Sequence, residues 1–427
     1  MMNTNTEIKK NYRFIKFKKL VIVSVLIGFL SAFLGIVLKN ATEYYESIFF
    51  HRATINPIFF VVLPVFGLSI IFFLRQYLFK KKENKGIKEI FESVDSKTKN
   101  LPSYKIPSHF INGLLTVVSG GSTGIEVSTV VATATIGAVA QRKHNMFRQY
   151  KTELICAGIA AGITVLFSSP IAGILFSLEV ISKKLTRAFI LTTGIAVVIA
   201  STLSFLLHEE PLFTVNITTW HLKATPYFIL LGVLAALYSV YLTRCVLFFK
   251  SYFLKINEPY YKIILGSILL STSFFIFPQL YGEGYHAIKT MLFESNDTIL
   301  TVSLALTFFG LTLVKPIATS ATLAAGGDGG VFAPSLFIGA FLGLLLALLL
   351  NRYTNADVIP INFMIIGMAA VLSASIHAPF TALFLVCGLT NDYTLFFPIL
   401  IVCLISKYTA KMIYPFTVYT YSPSLAK

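Results

Sequence analysis

The sequence predicts an all-helical polytopic membrane protein built from two related halves, and three observations carry that prediction. The first is composition. Of 427 residues, 56% are hydrophobic and 13% charged, with a mean hydropathy of +0.76. Soluble domains run at about 45–50% apolar and about 25% charged. The length alone would hold two or three soluble domains, but this composition excludes a soluble enzyme, a DNA-binding protein or a secreted scaffold. The second observation is where the charge lies. Lys and Arg number 35 against 19 Asp and Glu, a net +16. In a soluble chain that balance would suggest nucleic acid. Here the bases form short clusters between apolar runs, as cytoplasmic membrane loops do, so no nucleic-acid partner is expected. The third is an internal repeat.

Taken in order, six Lys or Arg between Lys9 and Lys19 precede an apolar run from Leu20 to Leu38. That run is too long for a signal-peptide core and lacks a small-residue cleavage site. It reads as a first span with a cytoplasmic N-terminus. A second run, Pro57 to Leu74, leads into Arg75, Lys80, Lys81, Lys82, Lys85 and Lys88, which returns the chain to the inside. Residues 110–140 and 153–182 are each about 30 long with basic flanks at both ends, more than the roughly 20 that one span needs. Each is expected to be a pair of shorter helices broken near its glycines. Segments 208–225 and 282–298, with Glu209, Glu210, Glu283, Glu294 and Asp297, read as external loops. Further spans are expected at 188–207, 226–243, 261–281, 299–314, 328–350, 361–386 and 395–414. The chain divides into a basic cytoplasmic segment, 1–19, and one transmembrane domain, 20–427, with repeats at about 20–207 and about 226–420. No hydrophilic domain is expected after the last span. Cys156, Cys245, Cys387 and Cys403 have neither metal-ligand nor disulfide-framework spacing and read as core residues.

The repeat is visible in two matches. Gly120-Gly121-Ser122-Thr123-Gly124-Ile125-Glu126 recurs 206 residues on as Gly326-Gly327-Asp328-Gly329-Gly330-Val331-Phe332. Ala160-Ala161 through Ser169-Pro170 to Leu175-Phe176 recurs 209 residues on as Ala369-Ala370 through Ala378-Pro379 to Leu383-Phe384. Duplicated halves with glycine-broken membrane segments point to a transport site at the repeat interface. Broken backbone survives in a bilayer only where it is buried or lines a cavity. A half-helix that starts after such a break presents unsatisfied N–H groups and a positive dipole end, which bind anions without a full charge. Gly329-Gly330-Val331-Phe332-Ala333-Pro334 has this form, with a proline suited to a first helical turn. Gly124-Ile125-Glu126-Val127-Ser128 is its counterpart, with Ser128 able to cap in place of proline. Glu126 is the leading functional candidate, because a carboxylate inside an apolar segment is costly. It can act as a tethered anion that protonation releases.

The chain resembles the CLC family of chloride channels and chloride/proton antiporters over nearly its whole length. The strongest match is Gly329-Gly330-Val331-Phe332-Ala333-Pro334-Ser335. It is joined by Gly124 and Glu126, by Phe167 to Glu179, by Ala378-Pro379-Phe380-Thr381, and by Tyr419 in a Phe-Thr-Val-Tyr-Thr tail. The resemblance implies an inverted repeat of tilted and broken helices. It further implies a homodimer with an anion path in each subunit, in the cell (inner) membrane. By the same resemblance the backbone N–H groups of Val331 and Phe332 coordinate the anion, Tyr419 adds its hydroxyl, and Glu126 is the gate. Small monovalent anions, chloride first, are the expected substrates, with protons as a possible second one and no cofactor.

Two positions depart from the family. The internal proton glutamate follows the position of Glu179, and here it is Val180. A valine relays no proton, which leans the reading towards passive or weakly coupled conduction, with antiport as the alternative. The family's anion-contacting serine falls on Lys85 in Asn84-Lys85-Gly86-Ile87-Lys88. Lys85 either enters the anion site beside Gly86 and Ile87 or faces water with its basic loop. Tyr419 has its own alternative as an interfacial aromatic near Tyr414 and Tyr421. Lys315 is expected to snorkel to the interface, His377 to be structural, and Asp328 to point away from the anion as a cap. An intramembrane hydrolase, using Asp328 with Asp392 or Ser122 with His377, would leave the repeat unexplained.

Overall fold

The structure is a computed structural model that describes residues 2–79, 84–96, 98–143, 145–215 and 217–421, without side chains for 2–13, 145 and 146. Lys80, Lys81 and Lys82 lie outside the described residues. The first half comprises α1 (Met2–Ile55), α2 (Phe59–Phe73), α3 (Ile87–Asp95), α4 (Lys105–Val118), α5 (Glu126–Arg142), α6 (Lys151–Phe167), α7 (Pro170–Phe176) and α8 (Arg187–Leu206). The second comprises α9 (Thr225–Leu254), α10 (Pro259–Ile276), α11 (Tyr285–Glu294), α12 (Val302–Ala324), α13 (Phe332–Thr354), α14 (Pro360–Ile376), α15 (Pro379–Thr390) and α16 (Phe396–Ile413). Among the described residues, nine helices are long and apolar enough to cross a membrane.

The two sets of eight correspond one to one, and their packing follows suit. Helix α5 packs on α6 as α13 packs on α14, α6 on α8 as α14 on α16, and α1 on α8 as α9 on α16. A glycine sets the closest approach in each half. A Cβ on Gly137 would stand 2.1 Å from the Leu154 carbonyl oxygen, and one on Gly343 would stand 2.0 Å from that of Phe363. Small residues at such contacts let helices approach closely in lipid, where helix association gains little from the hydrophobic effect. α13 and α14 are buried along most of their length, so the second half supplies much of the core.

The long run 110–140 is indeed a broken pair, α4 and α5, and 153–182 is α6 followed by α7 and a π turn at Ser177–Ser182. The run 361–386, expected as one span, is also two helices. Its chain reverses at His377 in the left-handed region (φ 56°), the counterpart of Ser168 (φ 50°) between α6 and α7. Hydropathy does not register this break, because the residues on both sides are apolar. The first helix has no boundary at residue 19, since α1 runs through the basic segment and on to Ile55. The expected external loop 282–298 contains α11.

Candidate anion site at the facing helix breaks

The site is made where the two glycine breaks meet. Gly124 and Gly330 form an antiparallel bridge, and Thr123 donates its hydroxyl to the Gly330 carbonyl at 2.7 Å. Each break also borrows a threonine from the other half. The Asp328 N–H donates to Thr116 Oγ1 at 2.9 Å, and the Ser122 N–H donates to Thr322 Oγ1 at 3.0 Å. These are the same two contacts related by the repeat. They satisfy backbone donors that would otherwise be orphaned inside the membrane domain, at a cost of about 1–3 kcal/mol each. Gly120 (φ 90°) and Gly326 (φ 107°) make the corresponding turns out of α4 and α12, conformations that L side chains rarely adopt.

Helix α5 begins at Glu126 and α13 at Phe332, so both N-termini open into this junction. The Glu126 side chain is 2% exposed and folds back over its own helix end. A Cβ on Gly124 would stand 2.0 Å from Glu126 Oε2, so only glycine leaves room for the carboxylate there. Tyr285 donates its hydroxyl to Glu126 Oε1 at 2.6 Å. The carboxylate faces the backbone N–H groups of Glu126 itself and of Ala333 in the first turn of α13, and Oε2 closes no hydrogen bond among the described residues. A carboxylate from the first half therefore lies at the helix end of the second. Pro334 sits in that first turn, where its missing N–H removes no bond.

Tyr419 is buried beside it. Its oxygen accepts the Val331 N–H at 3.2 Å, which leaves the phenolic proton free to donate elsewhere. A Cβ on Gly330 would stand 2.9 Å from that oxygen and 2.2 Å from Val127 Cγ2. The Phe332 ring packs between Phe167 and Phe176, with centroids 6.4 and 5.6 Å away. The tail carrying Tyr419 is tied down by Lys88, whose Nζ donates to the Tyr421 carbonyl at 2.8 Å. Partial burial holds the Lys88 ammonium below its ordinary pKa.

Gly86 (φ 62°) and the buried Ile87 approach the same junction, since a Cβ on Gly86 would stand 3.4 Å from Val127 Cγ1. Lys85 does not follow them. Its side chain is exposed, and its backbone N–H donates to Glu89 Oε1. Of its two sequence readings, the structure therefore corresponds to the water-facing one. Val180 lies in the π turn after α7, while Glu179 is committed to α15, accepting the Thr381 N–H at 2.7 Å and its hydroxyl at 2.6 Å.

Several groups take positions that their local sequence did not signal. Glu283, expected in a solvated loop, is 4% exposed and accepts the Ile125 N–H at 3.0 Å, where it occupies the N-terminal end of α5. Lys315 does not snorkel. It is fully buried, with Nζ 3.1 Å from the Gly282 carbonyl, 3.2 Å from that of Glu283, and over the Phe337 ring. Ser128 does not cap α5. The helix starts two residues earlier, and Ser128 Oγ has no hydrogen-bond partner among the described residues. Asp328 caps no helix among the described residues; its Oδ2 lies 2.9 Å from His109 Nδ1 and accepts from Asn84 Nδ2 at 3.0 Å.

Towards the side of Glu209 and Glu283 the site narrows. A cleft of about 20 Å³, lined by Lys39, Glu43, Glu126, Leu212, Glu283 and Tyr285, separates Glu126 from a polar vestibule of about 340 Å³. By that measure the cleft has room for about one water, too little for a hydrated anion. Lys39 and Glu209 form a buried ion pair at 3.2 Å beside the vestibule.

Comparison with known proteins agrees with this geometry. The sequence model described as "Voltage gated chloride channel" matches residues 66–411. The chain belongs to the CLC family. Relatives named "Voltage-gated ClC-type chloride channel ClcB" include one from Salmonella dublin, 28% identical over 70% of this chain and 71% of its own. Another, from Escherichia coli K12, is 27% identical over 72% of each. Two CLC-type structures share the fold at 22% identity. A slow cyanobacterial Cl−/H+ antiporter has a TM-score of 0.80, covering 94% of this chain and 96% of that one. A fluoride/proton antiporter has a TM-score of 0.77, covering 94% and 97%. The protein is thus a CLC-type anion transport protein of the membrane rather than an enzyme. The hydrolase pairs fit the structure no better. Ser122 Oγ is spent on the Leu280 carbonyl at 2.8 Å, and Asp392 caps the turn at Thr394 at 2.7 Å.

Proposed function

We propose that the protein conducts small monovalent anions, chloride first, through a path in each subunit gated by Glu126, passively or with weak proton coupling. The observation that carries this reading is the Glu126 carboxylate held over Gly124 against the first turn of α13. It stands in for the anion there, as a negative charge at a helix N-terminus whose N–H groups need an acceptor. A mobile anion can take that position only when the carboxylate leaves. Protonation makes it leave, because the neutral acid gains little from the helix end. The released site then offers the Phe332 and Ala333 N–H groups and the Tyr419 hydroxyl; the Val331 N–H, expected to coordinate the anion beside that of Phe332, is taken up by the Tyr419 oxygen. These neutral donors bind an anion weakly enough for it to move on.

Weak coupling follows from Val180, which carries no proton at the position of the family's internal glutamate. Proton-coupled antiport is the second reading, favoured by the buried titratable groups on both sides of the site. In this reading the protein is a homodimer of the cell (inner) membrane with a cytoplasmic N-terminus. Its single transmembrane domain spans 20–427, with halves at about 20–207 and about 226–420.

The test is flux of chloride, nitrate, fluoride and bicarbonate in proteoliposomes with simultaneous proton recording. Chloride and nitrate are expected to pass, with under about one proton for every ten anions. A chloride gradient that drives protons uphill at a fixed high ratio would replace this reading with antiport.

A further inference from the structure

Two buried nitrogen-bearing side chains occupy equivalent positions in the halves, and they are satisfied differently. His109 on α4 and Lys315 on α12 lie 206 residues apart, the offset of the glycine breaks, and both are fully buried. Lys315 Nζ is held by two backbone carbonyls within 3.2 Å. His109 has one near partner, the Asp328 carboxylate at 2.9 Å from Nδ1, and its Nε2 has no hydrogen-bond partner among the described residues.

The unpartnered atoms continue in one direction. Asn112 is three residues on from His109, on the same face of α4. Its Nδ2 reaches Ser108 at 3.3 Å, but its Oδ1 is buried without a partner. Gly113 follows, and Ser128 packs against it, its Cβ and Oγ each 2.6 Å from where a Gly113 Cβ would stand. Ser128 Oγ is buried and unpartnered as well, two residues from Glu126 in the first turn of α5. Buried polar groups without protein partners are where ordered water sits. At its other end the His109–Asp328 pair meets the loop that precedes α3. Asn84 Nδ2 donates to Asp328, Asn84 Oδ1 accepts from Lys105 Nζ at 3.1 Å, and Lys105 pairs with Glu89 at 2.7 Å. Arg75, at the end of α2, also faces Asp328. Among the described residues, the charged groups around the pair are Arg75 from the α2 end, Glu89 from α3, Lys105 from α4 and Asp328 from the break before α13.

We infer that the His109–Asp328 pair is the inner proton group of this protein, passing protons along the Asn112–Ser128 face of α4 and α5 to Glu126 and replacing the relay that Val180 lacks. This deepens the weakly proton-coupled form of the reading above, as against the passive one, and rests on it. The step conserves charge and involves no redox change. The imidazole gains one proton from the inner side, with its positive charge balanced by Asp328, and gives one proton up from Nε2 through water towards Ser128 and Glu126. Lys315 cannot play the same part on the outer side, since backbone carbonyls take up its ammonium.

The experiment is a chloride gradient imposed on proteoliposomes with chloride and proton fluxes recorded together, for the wild type, His109→Gln and His109→Lys. Wild type is expected to move protons measurably uphill. His109→Gln should lower the proton-to-chloride ratio at least tenfold while chloride flux stays within about threefold. His109→Lys keeps the charge beside Asp328 and the fold of the equivalent Lys315 position, so it should restore chloride flux if Gln impairs it, without restoring protons. The inference is overturned if wild type passes chloride and no protons, if His109→Gln keeps the wild-type ratio, or if His109→Lys restores it. Absence of chloride flux in wild type would instead refute the anion-transport reading on which it rests.

Discussion

The two halves of the molecule share a scaffold and differ at the residues that matter. Thr116 and Thr322 exchange the same contact, Gly120 and Gly326 make the same turn, and α5 and α13 start from the same kind of break. Yet Glu126 in the first half corresponds to Phe332 in the second, and Ser122 corresponds to Asp328. The first half therefore supplies a carboxylate and the second a helix end free to receive one. A symmetric pair of helix N-termini would hold two equivalent anions. One tethered carboxylate converts the pair into a site with a gate.

This comparison can be broken at its glycines first. Gly124→Ala and Gly330→Ala place a Cβ at related positions against different neighbours, the Glu126 carboxylate in one case and Val127 with the Tyr419 hydroxyl in the other. Both Cβ atoms would lie well under 3.0 Å from a neighbour. Gly330→Ala, which crowds the Tyr419 hydroxyl and Val127, is expected to cut chloride flux more than tenfold while keeping its pH dependence. Gly124→Ala, which displaces the carboxylate itself, should instead weaken the dependence of flux on pH. Identical pH profiles in the two variants would dissolve the distinction.

A smaller effect sharpens the shared part. Thr116→Val and Thr322→Val each strand one buried N–H, at a cost of about 1–3 kcal/mol. Thermal unfolding in detergent should show both variants destabilised by similar amounts. A large imbalance would mean that the two breaks are not equivalent supports.

The sequence made the scaffold legible wherever the signal was local. The glycine breaks, the repeat offsets, the splitting of 110–140 and the buried Glu126 are written in short stretches of chain. What it could not show were pairings made by distant segments. Glu283 looks like a loop acid until Ile125, 158 residues away, is seen to donate to it. Lys315 looks like a snorkelling lysine until the Gly282 and Glu283 carbonyls close around it. His109 drew no notice because its partner, Asp328, lies across the repeat interface. The break at His377 escaped hydropathy because it is a change of direction within an apolar run. Lys85 shows the converse, since alignment with an anion-contacting serine led to two readings and burial separates them.

The central claim is that the Glu126 carboxylate fills an anion's place until a proton releases it. Chloride flux through proteoliposomes, measured as pH is lowered from about 7.5 to about 4.5 across the carboxylate range, tests this most directly. Wild-type flux is expected to rise at least several-fold as pH falls, because protonation frees the helix end. Glu126→Gln, uncharged at every pH, should conduct at a rate that does not vary over the same interval. A Glu126→Gln protein that kept the wild-type pH dependence would contradict the account.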